Sequence, residues 1–133
     1  MKRINTIAMA FLLPFVQVSA QNKHTGSAQA DSTAKYTFQM SENVTRQKVS
    51  FKNRFGITLS GDLYLPKNTG NEPLPALAIS GPFGAVKEQS SGLYANQMAE
   101  RGFAVVAFDP SYTGESGGEP RNIASSDINT EDF

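Results

Sequence analysis

From Arg46 onward the chain alternates polar and apolar residues. Gln47-Lys48-Val49-Ser50-Phe51 has the two-residue period of a half-buried strand, and Ile57 to Leu65 repeats it, with Ile57, Leu59, Gly61, Leu63 and Leu65 on one side. Asn53-Arg54-Phe55-Gly56 between them supplies turn residues, so the pair predicts an antiparallel hairpin. Pro66 to Pro73 is a loop by composition. The pattern then changes. Leu74 to Ser80 and Phe103 to Phe108 are apolar nearly throughout, as expected of strands buried on both faces of a parallel sheet.

Between these two runs, Gly81-Pro82-Phe83-Gly84 breaks the first strand and a helix is expected after the Ser90-Ser91 pair. Tyr94 with Met98 and Ala95 with Ala99 form its apolar i, i+4 face. Gly102 is placed as its left-handed stop, with Phe103 as the hydrophobic contact beyond. Strand, turn, helix, stop and strand make a βαβ crossover. Preceded by a hairpin, it predicts an α/β fold with a mainly parallel sheet. Ser125 to Phe133 reads as the capped start of a further helix.

The first forty-five residues follow a different plan. Lys2 and Arg3, the apolar run Ile7 to Val16, and Val18-Ser19-Ala20 have the build of a secretory signal peptide over residues 1–20. The apolar run is shorter than the ~20 residues of a membrane span. Residues 21–45 are expected to be a disordered polar leader, and residues 46–133 the folded part. The expectation is therefore an exported protein, periplasmic or secreted, with no membrane association after cleavage. The absence of cysteine fits a protein that uses no disulfides.

Twelve Lys and Arg balance twelve Asp and Glu, so no basic excess points to nucleic acid or anionic lipid. The charge is uneven, because only Lys87, Arg101 and Arg121 follow Val86 while most of the carboxylates do.

The most suggestive chemistry is Gly114-Glu115-Ser116-Gly117-Gly118, which satisfies the G-x-S-x-G pattern of a hydrolase nucleophile elbow. An elbow serine sits where a strand runs directly into a helix. Here Asp109 to Thr113 separate the motif from the strand, and Gly118-Glu119-Pro120 is a poor helix start. A serine nucleophile also needs a base, and the only histidine, His24, lies in the leader. Ser116 is accordingly read as part of a tight glycine loop crossing the top of the sheet. Asp109, Glu115, Glu119 and Arg121 are read as a salt-bridged loop shaping that face.

Two segments together resemble a known family. Gly81 to Gln89 (GPFGAVKEQ) is similar to the loop after the third strand in α/β-hydrolases of the dienelactone-hydrolase-like, acyl-peptidase-like group. Ala107 to Arg121 (AFDPSYTGESGGEPR) is similar to their loop after the fourth strand. The resemblance implies the N-terminal half of an α/β-hydrolase domain. It places the nucleophile, acid and histidine base beyond Phe133, so no residue of this chain is assigned as catalytic. The chain would be truncated before the nucleophile strand and inactive alone, with Leu74 to Ser80 as an unpaired, aggregation-prone edge.

The same resemblance implies an oxyanion-hole donor in the loop after the third strand. Phe83 is the candidate for the backbone N–H, and Gly81, Pro82 and Gly84 are the residues that shape the loop. Many relatives carry histidine just before this loop, where this chain has Ser80. No metal or cofactor is implied. The implied function is cleavage of small-molecule ester or amide bonds through an acyl-enzyme. The alternative is a non-catalytic remnant or a small exported binding module.

Overall fold

The computed structural model describes residues 36–70 and 72–133. Its elements are β1 (Val44–Lys52), β2 (Thr58–Pro66), β3 (Ala76–Ser80), α1 (Ser90–Glu100), β4 (Ala104–Phe108) and α2 (Ser126–Thr130). One four-stranded sheet runs in the order β1-β2-β4-β3. Residues 1–20, read from the sequence as a signal peptide, and His24 lie outside the described residues.

The hairpin forms as the alternation predicts, with Val44 opposite Pro66 and Lys52 opposite Thr58. Asn53 closes it. Its N–H donates to the Ile57 carbonyl (3.1 Å), and its side-chain Oδ1 accepts from the Phe55 and Ile57 N–H groups (3.1 and 3.0 Å). The βαβ unit also forms, with β3 and β4 adjacent and parallel. Gly102 at φ +94° ends α1 as expected. Its N–H donates to Ala99 and that of Phe103 to Met98, the paired bonds that satisfy the last carbonyls of a helix.

Four expectations need correction. Among the described residues the sheet is mixed, and only β3–β4 is parallel, because β4 enters between β3 and the hairpin and meets β2 antiparallel. The disordered leader does not extend to residue 45. Tyr36 to Asn43 form a strap across α1, in which Thr37 N–H donates to Glu88 O (3.0 Å) and Ser41 N–H to Asn96 Oδ1 (3.1 Å). Phe38 and Met40 of that strap pack on the core. No serine side chain caps α1. Its N-cap is Gln89, and Ser91 is buried with no partner for its hydroxyl among the described residues. Finally, Tyr94 is exposed, so the buried stripe of α1 is Ser91, Gly92, Ala95, Asn96 and Ala99.

The strap and the buried stripe of α1 go together, because α1 and the strap both cover the same face of the sheet. The core there is Val44, Tyr64, Val105 and Ala107 against Ala95 and Ala99. Asp62 therefore lies under the strap, 2% exposed, and accepts a hydrogen bond from the Tyr36 hydroxyl (2.6 Å). Burial and the neighbouring Asp62 carboxylate push the Tyr36 hydroxyl well above the usual tyrosine range. On the opposite face Phe51, Phe108 and Phe133 stack edge to face over one end. Ala76 and Ala78 of β3 remain exposed, and among the described residues no strand pairs with the outer edge of β3. No helix among the described residues is long and apolar enough to cross a membrane.

Candidate active site

The carboxyl ends of β3 and β4 deliver two loops to the same edge of the sheet, the usual location of ligand sites in open α/β folds. Their polar groups are arranged very differently.

The loop after β4 is built on Asp109, which is fully buried. Its carboxylate accepts from the backbone N–H of Lys87 (2.7 Å), the Lys87 ammonium (2.9 Å) and the backbone N–H of Glu115 (2.9 Å). The Lys87 side chain is itself fully buried and also pairs with Glu88 and Glu115, each at 2.9 Å. Lys48 reaches Glu115 from β1. Burial alone would lower the Lys87 pKa, but the hydrogen bonds its ammonium donates to Glu115, Asp109 and Glu88 outweigh it and raise the value above the ordinary lysine range. Lys87 is thus a permanent cation clamping both loops together.

Ser116 completes the clamp. It is 3% exposed; its hydroxyl donates to the Asp109 carbonyl (2.6 Å) and accepts from the Ser60 N–H (2.9 Å). Both bonds tie the loop to strand ends, so the hydroxyl is a staple, in agreement with the reading of a tight structural loop. Gly114 must be glycine: φ is +54°, and a Cβ there would lie 2.3 Å from Asp109 Oδ2. The salt-bridge expectation holds for Asp109 and Glu115 but not for Arg121. Its guanidinium instead gathers the carbonyls of Gly114, Ser116 and Gly118. Glu119 is exposed.

A second buried cluster anchors α2 to the hairpin turn. Asp132 accepts from Ser111 N–H (2.8 Å), Ser111 Oγ (2.7 Å), Asn53 Nδ2 (2.9 Å) and Asn129 Nδ2 (3.2 Å). Burial opposes its ionisation, yet these donors prevail and hold its carboxyl below the usual range. Neither Asp132 nor Lys87 stood out in the sequence. Lys87 lay inside a recognisable loop, but no local pattern marks a lysine whose partners are 22 and 28 residues away.

The loop after β3 is the opposite case. Its first turn, Gly81 to Ala85, is shaped by one turn bond, Ala85 N–H to Pro82 O (2.9 Å), and by Gly84 at φ +82°. The Phe83 side chain is 69% exposed, and its backbone N–H has no hydrogen-bond partner among the described residues. Beside it lies a cavity of about 240 Å³ lined by Gly81, Phe83, Pro110, Ile123, Ala124 and Phe133 with Ser80, Thr113 and Asn129. The structure therefore brings Gly81 and Phe83 together with the loop after β4 and leaves a backbone donor unused there. Among the described residues no cluster of His, Asp or Glu is disposed to hold a metal ion.

The model of the X-Pro dipeptidyl-peptidase (S15) family matches residues 56–131. The uncharacterized protein PA2218 of Pseudomonas aeruginosa is 72% identical over 97 residues, covering 73% of this chain and 26% of that protein. Its crystal structure superposes with a TM-score of 0.72 over 74% of this chain and 30% of the other. The uncharacterized protein YcjY of Escherichia coli is 48% identical over 89 residues, 65% of this chain and 29% of that protein. The crystal structure of the α/β-hydrolase GrgF from Penicillium sp. sh18 matches at 31% identity with a TM-score of 0.59, over 66% of this chain and 29% of that one. The chain thus spans between a quarter and a third of the length of these relatives, and its fold is that of the N-terminal part of an α/β-hydrolase.

Proposed function

Since this chain belongs to the X-Pro dipeptidyl-peptidase (S15) family, within the α/β-hydrolase superfamily, we propose that it is the oxyanion-binding portion of a hydrolase that cleaves small-molecule ester or amide bonds through an acyl-enzyme. The observation that carries this reading is the Phe83 N–H at the carboxyl end of β3, which has no partner among the described residues, beside a cavity and on a loop held by the Lys87 clamp. A backbone donor fixed in this way stabilises the negative oxygen of a tetrahedral intermediate without reorganising as charge develops. Ser116 and Ser111 are not the attacking groups, because both hydroxyls are buried and bonded within the scaffold. In this reading the nucleophile, its acid and its base are supplied by sequence other than these 133 residues, and no cofactor takes part.

The protein is further proposed to be exported, on the pattern of residues 1–20. N-terminal sequencing of the mature protein from cells should begin at Gln21, and an intact Met1 would exclude export by this route.

The catalytic reading is tested with the protein expressed from its complete reading frame. It should hydrolyse 4-nitrophenyl acetate, and a rapid quench should trap enzyme heavier by one acetyl group. Phe83→Pro deletes the N–H and should lower kcat by about 10²–10³-fold, whereas Phe83→Ala keeps the donor and should leave kcat for this short ester close to wild type. Equal activity of the proline and alanine variants would remove Phe83 from the oxyanion hole. A complete absence of turnover would favour a non-catalytic binding module.

A further inference from the structure

We propose that Thr37 and Phe38 of the strap are positioning residues for the loop after β3: they hold residues 87–92 and, through them, the direction of the Phe83 N–H. The inference rests on the oxyanion reading of Phe83.

The need for such a hold follows from the clamp itself. Lys87 is fixed at its ammonium by Glu88, Asp109 and Glu115, but a flexible four-carbon stem passes little of that constraint to its own backbone. An oxyanion donor has to stay within about 0.5 Å of its productive position. The backbone of the loop therefore needs contacts of its own.

The strap supplies them from outside. Thr37 donates twice to the Glu88 carbonyl, from its backbone N–H (3.0 Å) and from its hydroxyl (3.4 Å). Phe38 lies over Gly92 in the first turn of α1. A Cβ at Gly92 would be 2.9 Å from the Phe38 ring and 2.3 Å from the Lys87 carbonyl oxygen, so the ring and that carbonyl close on the same point. Tyr36 secures the near end of the strap. Its hydroxyl bonds the buried Asp62 carboxylate (2.6 Å), its ring lies 3.6 Å beneath the Arg46 guanidinium, and it packs edge to face on Phe38. The far end grips a different place, because Ser41 bonds Asn96 and Glu100 further along α1.

The test uses the protein expressed from its complete reading frame and compares the two ends of the strap. Hydrogen exchange of the Lys87 and Glu115 amides, both bonded to Asp109, reads the loop without turnover. Phe38→Ala should speed both by about tenfold, Phe38→Leu should restore most of the protection, and Ser41→Ala should stay within about twofold of wild type. With 4-nitrophenyl acetate, Phe38→Ala should lower kcat about five- to tenfold and leave KM within about twofold. In a Phe83→Pro background the same change should lower kcat by less than about twofold, since the donor it positions is already gone. A role in stability alone predicts equal losses in both backgrounds. Thr37→Pro deletes both donors to Glu88 from an exposed position and should reproduce these effects, which keeps the test decisive where Phe38→Ala does not fold.

The inference is overturned if Phe38→Ala and Thr37→Pro leave exchange at Lys87 and Glu115 unchanged, if Ser41→Ala accelerates it equally, or if the kcat losses add in full to that of Phe83→Pro. Failure of the oxyanion reading has another signature. Phe83→Pro then matches Phe83→Ala in activity, while a response in exchange keeps the strap as the support of the loop.

Discussion

The loops after β3 and β4 sit side by side at one end of the sheet, yet they treat their polar groups in opposite ways. The loop after β4 carries the serine, the carboxylates and the arginine, and their polar atoms are largely occupied within the scaffold: Ser116 bonds Asp109 and Ser60, Asp109 bonds Lys87 and Glu115, and Arg121 gathers carbonyls. The first turn of the loop after β3, Gly81 to Gly84, presents only glycine, proline and phenylalanine, and it leaves a backbone N–H without a partner among the described residues beside a cavity, whereas Lys87 further along the same loop is fully engaged. A group already saturated by the fold has little left to offer a substrate. Chemical promise in a sequence motif and chemical availability in a structure are different properties, and here they fall on different loops.

That contrast can be broken experimentally, and stability in denaturant is the common measure. The largest effect is expected for Lys87→Ala, which leaves Asp109 as a buried carboxylate without its cation and should destabilise by about 3–5 kcal/mol. A loss under 1 kcal/mol would show that the clamp does not hold the loops together. Gly114→Ala combines a left-handed φ with a Cβ directed at the Asp109 carboxylate and should lose roughly 2 kcal/mol. Ser116→Ala removes one staple and strands the Ser60 N–H, for about 1–2 kcal/mol. Its turnover should stay within about threefold of wild type, since the hydroxyl is a scaffold atom; loss of activity in a fully folded Ser116→Ala protein would restore Ser116 as a candidate nucleophile.

Asp132 sharpens the same comparison through pH. Its folded pKa lies below the ordinary carboxylate value, so its contribution is fully present above about pH 5 and is lost as pH falls through the folded value. Under acid the unfolded state takes up the proton first, which favours unfolding. The stability difference between wild type and Asp132→Asn should therefore be largest near neutrality and shrink progressively below about pH 4; a constant difference would deny the shift. The smallest effect belongs to the other loop. Phe83→Ala should change stability by no more than about 0.5 kcal/mol, because that side chain is mostly in solvent.

Much of this organisation was legible in one dimension. Alternation located the hairpin, continuous apolar runs located β3 and β4, and Gly102 marked the end of α1. Each of these is a local signal: a side-chain period, or a backbone conformation that glycine adopts without strain. The tight structural loop around Ser116 was likewise legible, since the motif lacks the strand-to-helix junction of an elbow. The strap was misread because Tyr36 to Met40 is too short for periodicity to register, and only the packing of Phe38 and Met40 against the core reveals its role.

What the sequence by itself determined, then, is the order and type of the elements and the family resemblance carried by two loops. The tertiary structure decided which face of β2 is covered, which put Asp62 and Tyr64 inside, and it decided that Lys87 would be the buried cation joining the two loops. Among the described residues it also showed that Ser116 and Asp109 are bonded within the scaffold. The physical reason is sequence separation. Periodicity and turn chemistry act between residues a few positions apart, whereas burial and ion pairing depend on what the fold brings together, as with Lys87 and Glu115 across 28 residues or Asn53 and Asp132 across 79.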